Sequence, residues 1–140
     1  MFTRSLVISP RAAFVRYPRT QALRDGTLRD VTDVAKQAGF LWPVAMTRTA
    51  WSDCVQGTEA DSQAQCPQHE ADRLWDVLFL GARAVRCTHT DTDRLQYRLY
   101  RVPRDGHTQK PCLVLLAARA DPGDFAEPVI TISLVNEAPH

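Results

Sequence analysis

The chain has 140 residues and a mass of 15.7 kDa, with 17 basic and 16 acidic side chains for a formal charge of +1. A single domain of that size buries about two thirds of the unfolded chain's surface, so its core needs neither a metal nor a disulfide. The near-neutral total excludes a histone-like or polybasic membrane binder. Hydrophobic residues at 44% against 24% charged exclude wholesale disorder.

Residues 1–19 place Arg4, Arg11, Arg16 and Arg19 among Phe2, Leu6, Val7, Ile8, Phe14, Val15 and Tyr17, with Pro10 and Pro18 as breaks. Phe14 to Tyr17 reads as a short edge strand, since proline is tolerated at strand borders. Thr20 is a candidate cap for a helical turn over Gln21 to Asp25, which Gly26 ends. Thr27 to Val31 reads as extended. Thr32 then caps a helix over Asp33 to Ala38, with Asp33 suiting the exposed amides of its first turn and Gly39 as the stop. Phe40 to Met46 is an apolar connector, extended before Pro43. Thr47 or Thr49 caps the next helix, which reaches Trp51, Cys54 and Val55. Residues 56–69 are polar and aperiodic, the composition of a mobile surface loop.

The strongest periodic signal runs from Glu70 to Arg86. Leu74, Leu78, Gly81 and Val85 recur at helical spacing, and acids early with arginines late match the helix dipole. Gly81 costs about 1 kcal/mol of helix propensity relative to alanine, which the close approach of a neighbour and tolerance at a surface explain equally well. Three strand-like runs follow. Leu95 to Arg101 alternates, placing Arg98 and Tyr100 on one face and Tyr97 and Arg101 on the other. Cys112 to Ala117 is continuously apolar and reads as the central strand, while Val129 to Val135 alternates again. Turn residues at 103–108 and 121–124 join the three runs as an antiparallel meander. The fold class is therefore α+β, one domain over 1–140. It has a three- to four-stranded, mainly antiparallel sheet packed by a long helix and short N-terminal helices.

Fifteen of the basic residues are arginines and two are lysines. Arginine suits planar, bidentate contact with carboxylate or phosphate, although coding-DNA composition produces the same bias. Residues 1–30 carry +4 and residues 31–140 carry −3, so the charge is segregated along the chain. Cys54, Cys66, Cys87 and Cys112 have no CxxC spacing. Cys66 and His69 with Cys87 and His89 form the one conceivable zinc set, and unpaired thiols of a reducing cytoplasm are the expected state. No signal peptide or membrane span is recognisable, so a cytoplasmic chain without membrane attachment is expected.

The run from Ala22 to Phe40, the run Trp42 to Cys54, Arg73-Leu74-Trp75-Asp76-Val77-Leu78 and Glu127-Pro128-Val129-Ile130-Thr131-Ile132 together resemble a family of small uncharacterised proteins. That family is encoded by bacterial plasmids, phages and other mobile elements. The resemblance spans most of residues 12–135 and carries no catalytic residues across. What it implies is context, because small orphan proteins of such elements often inhibit host defence or support replication and transfer.

Among chemistries, Asp30 with Asp33, or Asp72 with Asp76, would flank a divalent ion in a hydrolase or nuclease; the second pair shares a helix face, and two acids on a solvated helix face explain it without one. Cys66 and His69 would pair as nucleophile and base only in an ordered loop. No GxSxG, HExxH or phosphate-binding glycine loop occurs. The expected function is therefore non-catalytic. The chain reads as a binding protein of a mobile genetic element, directed against a host defence complex such as a CRISPR effector, with no cofactor and no metal. Arg11, Arg16, Arg19, Arg94, Arg98, Tyr100, Arg101 and Arg104 are the candidate partner-binding residues. The partner is a protein complex of host or element, and a nucleic-acid-binding accessory role or a metal-dependent hydrolase is the alternative. Oligomeric state leaves no mark in the sequence.

Overall fold

The computed structural model describes residues 18–56, 69–88, 92–101 and 111–137. The elements run α1 (Arg19–Asp25), β1 (Leu28–Asp30), α2 (Thr32–Ala38), β2 (Val44–Thr47), α3 (Arg48–Cys54), α4 (Glu70–Cys87), β3 (Arg94–Arg101), β4 (Cys112–Pro122) and β5 (Pro128–Leu134). The class is the expected α+β, but the sheet has five strands rather than three or four, in the order β1-β2-β5-β4-β3. The expected meander β3-β4-β5 is antiparallel throughout. On its far side β2 joins β5 in parallel, with Val44 opposite Ile130 and Met46 opposite Ile132, and β1 pairs antiparallel with β2.

The two added strands are those least visible to alternation. All four residues of β2 are buried, because helices cover one of its faces and α1 the other, so the strand looks like an apolar connector. The central strand is β5, and the reading of β4 as central is corrected. Apolarity is continuous along β4, yet Leu113 and Leu115 are exposed and burial begins only at Leu116. The expected strand at 14–17, the loop expected at 56–69 apart from its two end residues, and the turn at 103–108 lie outside the described residues.

Register divides the sheet into two faces. One carries Met46, Ile130, Ile132, Leu116, Ala118, Tyr97 and Leu99, and packs against α2, α3 and α4 as the main core. Val77, Leu78, Ala82 and Val85 of α4 enter that core, as do Trp51 and Cys54 of α3. Gly81 lies under Tyr97, where an added Cβ would stand 3.0 Å from the phenol oxygen, so close approach, not surface tolerance, accounts for its cost. On the opposite face α1 sets Ala22 over Leu28 and Ala45 as a second, smaller cluster.

Seven residues are too few to hold an isolated helix, and α1 is clamped at both ends by distant side chains. Its N-cap is Pro18, not Thr20, and offers no side-chain bond. The Asp124 carboxylate instead accepts from the Arg19 amide at 2.7 Å and the Thr20 amide at 2.9 Å. At the other end Gly26 turns left-handed at φ 85°, and Arg48 donates to the carbonyls of Gly26 and Asp25, each at 3.0 Å. Negative charge at the amide end and positive charge at the carbonyl end both complement the helix dipole. The C-terminus of α3 is met the same way, by Arg73 donating to the Cys54 carbonyl at 2.9 Å.

The remaining caps fall one residue from expectation or on it. Thr32 opens α2 rather than capping it, with Val31 as the cap residue. Its hydroxyl and amide both meet Asp30, and the Val44 amide donates to the same hydroxyl at 3.1 Å, tying α2 to β2. Thr47 is the cap of α3, accepting from the Ala50 amide at 3.1 Å.

Candidate functional site

The arginines divide by what they touch. Arg19 enters the fold beneath α1 and donates to the Thr131 hydroxyl at 2.7 Å and the Ile130 carbonyl at 2.8 Å. Burial lowers its guanidinium from the ordinary value, and Asp121, Asp30, Glu127 and Asp124 act against that shift. Three of these carboxylates, with Thr20, Leu23 and Val129, line a cleft of about 170 Å³ beside α1. Arg101 ties β3 to α3 through both carboxylate oxygens of Asp53, each at 2.9 Å. Arg29 stacks on Trp51 at 4.0 Å from the ring centroid, an arrangement that favours arginine over lysine. Arg19 and Arg101 are therefore engaged within the fold.

Arg94, Arg98 and Tyr100 behave differently. Cross-strand register puts them with Gln96 on the sheet face opposite α4, where Tyr100 stands across from Leu113 and Arg98 from Leu115. Tyr100 is 63% exposed, Leu113 49% and Leu115 42%. Among the described residues the guanidinium groups of Arg94 and Arg98 make no hydrogen bond or ion pair, and no carboxylate lies on β3 or on β4 before Asp121. Asp121 itself is held by Arg119 at 2.8 Å. The result is an exposed patch of one aromatic and two aliphatic side chains beside guanidinium groups that no described carboxylate engages. Tyr97, one residue away on the strand, turns into the core, and its hydroxyl donates to the Val77 carbonyl at 3.0 Å.

Of the other residues singled out by sequence, Arg11, Arg16 and Arg104 lie outside the described residues. Leu113 and Leu115 were missed, and the signal for them is their period-two alternation with Val114 and Leu116 inside an apolar run. Asp72 and Asp76 share α4, and burial first, then Asp72, raises the Asp76 carboxyl. Asp30 is engaged by Thr32. Among the described residues no three His, Cys, Asp or Glu side chains gather where an ion could sit. Cys54 is buried, whereas Cys87 and Cys112 are exposed. No helix of the described residues is long and apolar enough to cross a membrane.

The model of a family of unknown function, DUF6573, matches residues 11–138. The chain belongs to this family. No curated protein and no solved structure matches it. The match to DUF6573 takes in every described element and brings no assigned site, so function in this DUF6573 chain has to be argued from the surfaces themselves.

Proposed function

We propose that this chain is a non-catalytic binding protein that docks a partner protein on the open face of β3 and β4. The contiguity of exposed Tyr100, Leu113 and Leu115 beside Arg98 carries the reading. Tyrosine and arginine dominate binding energy where protein surfaces meet, and grouped exposed aliphatic side chains mark such surfaces. A partner with an apolar centre and an acidic rim fits. A nucleic acid is the second reading, since a base could stack on Tyr100 while Arg98 meets phosphate. One ring flanked by two leucines favours protein.

The proposal extends to the setting that the sequence resemblance implies: a mobile element's product that occupies a host defence complex, such as a CRISPR effector, in the cytoplasm. That extension rests on the resemblance alone. Expression of the chain beside an active effector is expected to restore transfer of a targeted plasmid, and unchanged interference overturns it.

The face is tested by affinity capture from bacterial lysate with the wild-type chain, Arg98→Glu and Leu113→Asp, each with and without nuclease. The expected result is a protein retained after nuclease treatment and lost with both variants, whose melting temperatures match the wild type. Retention by both variants overturns the face. Loss on nuclease treatment moves the reading to nucleic acid.

A further inference from the structure

The outer edge of the sheet beside the docking face is β3, an unbroken run of eight paired residues without a proline or a bulge. Its backbone polarity follows from the ladder. Ala120 donates to the Asp93 carbonyl at 2.8 Å, and the pattern of an antiparallel pair alternates. Leu95, Tyr97 and Leu99 therefore direct their amides and carbonyls at β4. Arg94, Gln96, Arg98 and Tyr100 direct theirs outward.

Arg94 is closed off at once. The Thr92 hydroxyl donates to its carbonyl at 2.8 Å and accepts from its amide at 3.2 Å. Gln96, Arg98 and Tyr100 have no such cover among the described residues. The residues with open backbone groups are thus the ones whose side chains stand on the docking face.

Resting on the docking reading above, we infer that the partner binds by adding an extended, acidic strand to β3. Such a strand would bond to the amides and carbonyls of Gln96, Arg98 and Tyr100, as in strand addition to a free sheet edge. Every second side chain of the added strand then falls on the docking face. A carboxylate opposite Arg98 meets a guanidinium with no carboxylate of its own. Between them, the strand's other side chains lie along Leu95, Tyr97 and Leu99. Charge selects against a second copy as the occupant, because β3 holds three arginines and no acid. Thr92 plugs the edge at one end and so fixes where the added strand begins.

The probe is the peptide (Glu-Val)4, used beside (Lys-Val)4 and beside (Glu-Val)4 methylated on alternate backbone nitrogens. Binding to the full chain is followed by fluorescence polarisation and by amide hydrogen exchange. The expected result is binding of (Glu-Val)4, with at least tenfold slower exchange at Gln96, Arg98 and Tyr100. At least tenfold weaker binding of one methylated register and of (Lys-Val)4 should accompany it. Arg98→Glu should reverse the charge preference. Equal binding of all methylated peptides with the Arg98→Glu effect kept overturns strand addition and leaves face docking standing. Binding that Arg98→Glu does not alter overturns both. No binding of (Glu-Val)4 at millimolar concentration overturns strand addition alone, and a dimer of the chain that the peptide dissolves overturns the acidic partner as the occupant of the edge.

Discussion

The phenol oxygen of Tyr97 lies 3.0 Å from the point where a side chain on Gly81 would begin, and the same hydroxyl donates to Val77 one turn earlier on α4. Sheet and helix meet there at backbone distance. Gly81→Ala gains about 1 kcal/mol of helix propensity and incurs an overpacking cost of about 1–3 kcal/mol against Tyr97 and Phe40. A net loss of about 1 kcal/mol is expected from urea denaturation. Tyr97→Phe alone costs about 1 kcal/mol for the buried hydrogen bond. In that background Gly81→Ala should cost less, since the nearest atom is gone. A stabilised Gly81→Ala chain would refute the close approach.

Asp124 is expected to hold α1 in a pH-dependent way. The hydroxyl and amide of Thr20, then the amide of Arg19, keep its carboxyl below the ordinary value. A folded-state pKa below the unfolded one stabilises above the unfolded value of about 3.9 and is lost as pH falls through the folded value. Asp124→Ala should cost about 1 kcal/mol at pH 7, in line with loss of a helix cap. The gap between variant and wild type should close on acidification below about pH 3.9. A gap that is constant from pH 7 to pH 2.5 would show that the carboxylate charge plays no part.

Much of this was legible in the sequence because period and fold agree. In β3 alternation separates Tyr97 from Tyr100, and in α4 Leu78, Gly81 and Val85 mark the buried stripe. Legibility fails where the deciding partner is far along the chain. Thr20 has the right chemistry for a cap, but Asp124 does the capping across more than a hundred residues. Arg19 and Arg101 look like surface cations until Thr131 and Asp53 are placed beside them. On β4 the apolar run hides an exposed half, since composition alone does not say which end the helices cover.

The Asp53–Arg101 pair supplies a contrast between two arginines three residues apart. Arg101 is 15% exposed at its side chain and Asp53 34%, so reversal of the charge sets two carboxylates together in a half-buried site. Arg101→Glu should lower stability by about 2 kcal/mol, discounted for the solvent that reaches Asp53. Asp53→Arg in the same chain should recover part of it. Arg98→Glu, on the open face, should stay within about 0.5 kcal/mol of wild type. Equal losses at both positions in thermal melts would contradict this division of roles.

Thiol chemistry should follow the same inside-outside logic. Burial first, then the neighbouring Asp53 carboxylate, pushes the Cys54 thiol up to about 12. The thiolate is the reacting form, so Cys54 is almost wholly unreactive in the native chain at pH 8. Cys87 and Cys112 are exposed. Iodoacetamide at pH 8, followed by peptide mass analysis, should label those two promptly and Cys54 only after denaturant is added. Because Asp53 is held by Arg101, the Arg101→Glu variant should also label faster at Cys54, through local opening where α3 meets β3. Cys54 labelling at the rate of Cys112 in the native wild-type chain would place α3 outside the core.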